Sequence, residues 1–167
     1  MGPLAELERE LISRSPKETR ALGAALGRVL EVGDFVGLQG ELGAGKTAFV
    51  RGVAEGAGVP PREVSSPSFA IVSPYRGRVP LFHADLYRLA DEDELYATGF
   101  FDLLPQGATL VEWLDRIPRA APPDFLLLRF EVQEDESRRI TARAFGPRHA
   151  ELLRRWLESS CDSNVLE

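Results

Sequence analysis

The chain has 167 residues, 44% of them apolar and 28% charged, enough for one globular domain with a core of its own but not for two comfortable ones. Its formal net charge of −6 makes it a poor candidate for gripping nucleic acid over its whole surface, because phosphate neutralisation dominates such affinity; a local basic patch is still compatible. One cysteine, Cys161, excludes an internal disulfide and fits a reducing cytoplasm, no apolar run approaches the roughly 18 residues of a membrane span, and the acidic opening MGPLAELERE lacks a secretory apolar stretch.

Ser15-Pro16-Lys17-Glu18 predicts a helix start: a serine cap, proline at the first position and glutamate three residues after the cap. Leu22, Ala25, Leu26, Val29 and Leu30 follow at helical spacing, and Gly33 ends the run. DFVGLQ (34–39) reads as a short apolar strand, and a second helix begins within GELGAGKT (40–47) and stops at the glycines 56–58. PPREVSSPS (60–68) is a loop; FAIVSPY (69–75) and VPLFHAD (79–85) form a hairpin around Arg76-Gly77-Arg78. DEDELYATGF (91–100) predicts a short helix with acidic residues at its positive end, and ATLVEW (108–113) a further strand. FLLLRFEVQ (125–133) and RRITARAF (138–145) form a second hairpin, and residues 148–159 a last helix; residues 160–167 are expected to be a flexible tail to a single domain spanning 1–159. Early helix–strand alternation and later hairpins predict an α/β domain whose mixed sheet has a parallel centre and helices on its faces.

GELGAGKT matches the phosphate-loop pattern G-x-x-x-x-G-K-[ST]. Gly40, Gly43 and Gly45 let the backbone turn tightly and point N–H groups inward, and the helix behind them adds its positive end. Lys46 reaches the β- and γ-phosphates, and the Thr47 hydroxyl can ligate Mg²⁺. The motif follows an apolar strand and opens a helix, which is the context it requires. Such a site also needs an acid at the end of a neighbouring strand, and both Asp85 and Glu112 qualify; spacing alone leaves the choice open. His83 shares a face with Asp85 and is read as orienting its neighbours. Ser65-Ser66-Pro67-Ser68 is either a plain turn or a switch whose hydroxyls sense the γ-phosphate. Arg88 is read as an ion-pair partner to an acid on the following helix in preference to an arginine finger.

G-E-L-G-A-G-K-T, S-P-S-F, H-A-D-L-Y-R-L and V-E-W, in that order, resemble the TsaE family, the ATPases of bacterial tRNA threonylcarbamoyladenosine biosynthesis. The resemblance covers about residues 15–116 and departs at Ser68, where the family usually has threonine, and at Ala84, where a bulkier apolar residue is common. It implies a three-layer P-loop NTPase fold, its parallel core flanked by antiparallel strands, with ATP and Mg²⁺ as ligands. It assigns nucleotide contacts to Gly40, Glu41, Leu42, Gly43, Ala44, Gly45, Lys46, Thr47 and Ala48, and to Trp113. It implies looser contacts near residues 13–19 and at Arg138. It assigns the metal to Thr47 and Glu112, and hydrolysis to Lys46, Asp85 and the Ser68 hydroxyl. The implied partners are TsaD and TsaB, with tRNA engaged only through that complex. The implied function is an ATPase that sustains formation of threonylcarbamoyladenosine beside the anticodon in tRNAs reading codons that begin with A. A nucleotide-dependent binding module with incidental hydrolysis and a small-molecule kinase are the alternatives; a GTPase is disfavoured because no N-K-x-D string occurs.

Overall fold

In chain order the elements are strand β1 (Leu7–Ser13), helix α1 (Pro16–Val29), β2 (Phe35–Gly40), α2 (Lys46–Gly56), β3 (Val72–Arg76), β4 (Pro80–Asp85), the short helices α3 (Glu92–Ala97) and α4 (Phe100–Leu103), β5 (Ala108–Glu112), β6 (Phe125–Val132), β7 (Arg138–Phe145) and α5 (Pro147–Val165). They come from a computed structural model that describes residues 4–41, 43–64 and 71–165. The strands form one sheet in the order β1-β7-β6-β2-β5-β4-β3. Its centre, β6, β2, β5 and β4, is parallel, while β3, β7 and β1 are added antiparallel at the two sides. This is the mixed sheet the sequence predicts.

Successive strand residues point to opposite faces, so a strand covered on both sides must be apolar throughout. β2 is such a strand, with Phe35, Val36, Gly37 and Leu38 all buried. Val36 and Leu38 join Leu110, Leu128 and the apolar sides of α1, α2 and α5 in one core; Phe35 and Val111 join Leu95 of α3 and Phe100 of α4 in the other. The result is three layers, with the P-loop at the C-terminal edge of the parallel strands.

The cap of α1 forms as predicted: Ser15 Oγ accepts from the Glu18 N–H at 3.1 Å, and the Glu18 carboxylate accepts from the Arg14 N–H at 2.6 Å. Helices α1 and α2 then approach backbone to backbone. A Cβ on Gly27 would lie 2.1 Å from the Val53 carbonyl oxygen, and one on Gly52 would lie 2.0 Å from that of Arg20. This approach seats α2, and with it Lys46 and Thr47, against α1.

Three boundaries differ from expectation. β1 was not anticipated: LERELIS buries only one side chain fully, and what recruits it is the ladder to β7. The predicted helix 91–100 breaks at Ala97, because Gly99 adopts a left-handed φ of 81° before α4 begins. The last helix continues to Val165, past its expected end at residue 159, since no glycine or proline interrupts it. The switch residues Ser65, Ser66, Pro67 and Ser68, and Phe69, which opens the strand expected at 69–75, lie outside the described residues. Among the described residues no helix is long and apolar enough to cross a membrane.

Candidate functional site

The loop between β2 and α2 turns through glycines in left-handed conformations, Gly43 at φ 83° and Gly45 at φ 100°, which side chains other than glycine adopt only with strain. Gly45, which has no side chain, caps α2 with backbone alone, and among the described residues no side-chain cap bond is made to the helix. The first N–H donors, at the positive end of this 11-residue helix, are left for an anion. The start of α1 closes over the loop: Thr19 is buried, shares a 2.6 Å hydroxyl contact with Ser13, and stands 3.5 Å from where a Cβ on Gly45 would be.

Lys46 is only 8% exposed, an unusual place for an ammonium group without strong pairing. Its Nζ lies 3.9 Å from Glu112 Oε1 and 5.2 Å from the centre of the Trp113 ring. Glu112 Oε2 lies 2.6 Å from His83 Nε2, and His83 is itself buried. Burial is the strongest single influence on the Glu112 carboxyl and pushes its pKa up. The His83 hydrogen bond, with the charges of His83 and Lys46, outweighs it and holds the group below its ordinary value. Glu112 is therefore ionised at neutral pH.

Asp85 pairs with Glu112 in the parallel ladder of β4 and β5, so the two carboxylates leave the sheet edge side by side. Asp85 Oδ1 accepts from the Tyr87 N–H at 2.9 Å, which fixes the turn after β4. Beyond it runs a stack: the Arg116 guanidinium 5.8 Å over Tyr87, Tyr87 4.9 Å from Trp113, and Trp113 over Lys46. Trp113 adopts φ 61°, a conformation a bulky residue takes only when its surroundings impose it.

These groups open into a cleft of about 790 Å³. Of the residues expected at the site, Gly43, Gly45, Lys46, Thr47, Ala48, Asp85, Glu112, Trp113 and Arg138 line it, as do Arg14, Ser15, Pro16 and Thr19 from the start of α1. Arg138 also donates to the Gly43 carbonyl at 3.4 Å, tying the last hairpin to the loop. Gly40, Glu41 and Ala44 line a neighbouring cleft of about 490 Å³ that shares Lys46 and Trp113 with the first, and the Ala44 methyl is buried in the core. Leu42 and Ser68 lie outside the described residues. Arg88 is exposed and forms no ion pair among the described residues, contrary to expectation; Asp91 and Glu94 of the following helix cap α3 instead, and Glu92 lies 3.9 Å from Arg119. Sequence reasoning passed over Val132 and Glu136, which line the cleft from β6 and the turn after it.

The exposed Thr47 hydroxyl and the ionised Glu112 carboxylate are hard oxygen donors of the kind magnesium takes. Among the described residues no three His, Cys, Asp or Glu side chains gather as a metal cage. The set therefore suits an ion that completes its shell from phosphate oxygens and water.

Residues 13–140 match the family described as threonylcarbamoyl adenosine biosynthesis protein TsaE. The tRNA threonylcarbamoyladenosine biosynthesis protein TsaE of Treponema pallidum is 38% identical over 131 residues, covering 78% of this chain and 96% of that protein. The protein of the same name from Bacillus subtilis is 40% identical over 137 residues, covering 81% and 85%. The crystal structure of Bacillus subtilis YdiB superposes with a TM-score of 0.76 at 30% identity, covering 94% of this chain and 98% of that one.

Proposed function

The chain belongs to the TsaE family of tRNA threonylcarbamoyladenosine biosynthesis, and from that premise we propose that it is a magnesium-dependent ATP hydrolase whose turnover sustains the modification. On this reading it works in the cytoplasm with TsaD and TsaB proteins. The partners engage the tRNA and transfer the threonylcarbamoyl group to the adenosine beside the anticodon. An acidic protein with net charge −6 is suited to that division of labour, since it need not hold RNA itself.

The observation that carries the proposal is the buried Lys46, set at an uncapped helix N-terminus with Glu112 facing it. A buried ammonium beside free N–H donors is a receptor for a polyphosphate. The backbone of residues 43–48 cradles the phosphates, and Lys46 offsets the charge that gathers on the terminal phosphoryl group as its bond to the leaving oxygen breaks. Thr47 and Glu112 would hold magnesium, which would supply further positive charge to offset that of the polyphosphate. Asp85 orients the attacking water, whose oxygen bonds to the γ-phosphorus as the bond to the β–γ bridging oxygen breaks. Trp113 shields the lysine from solvent, which strengthens its pull on the phosphates. Arg138 and the residues around Thr19 bound the other end of the cleft, where the nucleoside lies.

The test is ATP hydrolysis by the purified chain alone, with TsaD and TsaB, and with tRNA added. Stimulation by the partners is the expected result. Fast turnover indifferent to the partners would sink the proposal in favour of a free-standing NTPase or a kinase.

A further inference from the structure

The geometry points to His83 as the residue that positions Glu112 for its ligand role, by taking one carboxylate oxygen and leaving the other turned into the cleft. The inference rests on the reading of Glu112 as a magnesium ligand.

Two carboxylates stand together at the end of β4 and β5, and each has one oxygen committed. Asp85 Oδ1 is taken by the Tyr87 N–H, a local bond made by the turn itself. Among the described residues Glu112 has no such local partner. Its Oε2 is held instead across the ladder by His83, at 2.6 Å. The register explains the reach: His83 pairs with Leu110, two residues before Glu112 and on the same face, so its ring meets the glutamate diagonally. His83 is 4% exposed, so the ring that grips Glu112 is itself fixed by packing. Glu112 Oε1 remains 3.9 Å from Lys46, beyond hydrogen-bond reach, and is the atom available to a cation at the phosphates. A histidine ring that orients a ligand carboxylate lowers the cost of holding it ready, and partners of this kind affect metal affinity about 10–100-fold when removed. Asp85, two residues from His83 on the same strand, is left free of this constraint to follow the water.

Two variants separate positioning from packing. His83→Gln keeps an N–H donor at about the reach of Nε2; His83→Asn keeps the polarity but falls short. Magnesium is titrated against ATP binding by calorimetry, and ATP binding is measured in parallel with magnesium chelated. His83→Asn is expected to raise the half-saturating magnesium concentration at least about tenfold, with His83→Gln within about threefold of the unaltered protein. Binding without magnesium should be unchanged in both. Equal behaviour of the two variants, whether both normal or both impaired, would overturn the inference. Independently of any variant's folding, nitrogen NMR of the two histidines must find His83 carrying its proton on Nε2, while His149, whose Nε2 accepts from the Phe35 N–H, carries it on Nδ1. A proton on His83 Nδ1 alone would also overturn it. If the unaltered protein binds ATP with no response to magnesium, the metal reading of Glu112 fails and takes this inference with it; a magnesium response indifferent to His83 removes only this inference.

Discussion

Asp85 and Glu112 occupy paired positions on adjacent parallel strands, and their carboxylates are nonetheless held in different ways. Glu112 is gripped by buried His83 and faces Lys46; Asp85 is tied at one oxygen to its own turn. Two like charges at one sheet edge are tolerated because each has separate compensation.

That asymmetry predicts different failures. Glu112→Gln should weaken ATP binding with magnesium present and leave magnesium-free binding almost unchanged. Asp85→Asn should leave binding intact and slow hydrolysis, by about 100-fold if it orients the water. Calorimetry and steady-state hydrolysis on the same preparations decide the matter. Equal losses in both variants and both assays would mean that the two acids share one role.

Lys46→Ala should reduce ATP affinity at least about tenfold, the value of one charge-assisted contact to a phosphate. It should do so with magnesium present or chelated, which distinguishes it from the glutamate variant. Unaltered affinity would refute the phosphate loop as the binding site.

How far the sequence reveals these arrangements depends on the range of the contact. The loop of residues 40–47 is contiguous, its glycines mark the turns, and every described member falls beside the cleft or its neighbour. Glu112 and Asp85 were recognisable as strand-end acids, but the contact that tells them apart joins His83 to a residue 29 positions away, and no local pattern carries it. β1 escaped notice because it is an edge strand with charged Glu8, Arg9 and Glu10 at its centre; its pairing to β7 is created by tertiary structure. The approach of α1 and α2 did leave a trace: Gly23 and Gly27, and Gly52 and Gly56, each recur one helical turn apart. Such a pair is ambiguous until its partner helix is known.

Those glycines give a stability prediction. Gly52→Ala gains helix propensity of about 1 kcal/mol in isolation, because glycine is the more flexible residue. Here the new methyl would stand 2.0 Å from the Arg20 carbonyl oxygen, so the helices must part. Overpacking of this kind costs about 1–3 kcal/mol and should win, giving net destabilisation by urea denaturation. A neutral or stabilised variant would show that the two helices separate freely.

Thr109 offers the opposite case. Its hydroxyl is buried, with the residue 1% exposed, and has no hydrogen-bond partner among the described residues. Thr109→Val keeps the shape and removes the uncompensated polar atom, so the variant should be more stable by about 1 kcal/mol. A measured loss would reveal that the hydroxyl has a partner after all.

The far end of the sheet holds a polar staple whose strength depends on pH. Asp124 accepts from the backbone N–H groups of Arg148 and His149, both at 3.0 Å, and from His149 Nδ1 at 2.7 Å; it thus caps α5 from outside the helix. Gly146, next to the helix start, leaves the space this requires, because a Cβ there would meet the Asp124 carboxyl carbon at 2.3 Å. Burial is the largest single influence on Asp124 and pushes its pKa up, but the His149 hydrogen bond and the two backbone donors together hold it below its ordinary value of 3.8. His149 Nε2 accepts from the Phe35 N–H at 2.9 Å, which holds the ring in place beside Asp124. A carboxyl whose pKa is lower in the folded state contributes stability that is complete above the unfolded value, about 3.8 here, and is lost as pH falls through the folded one. Asp124→Ala should therefore cost about 1–2 kcal/mol at neutral pH, as removal of a helix cap does, and the difference from the unaltered protein should shrink below about pH 4. Asp124→Asn, which keeps an acceptor for the cap but no charge, should lose less at neutral pH and show a flatter acid limb in thermal denaturation. If Asp124→Ala differs from the unaltered protein by the same amount at every pH, the staple acts through shape alone and its ionisation contributes nothing.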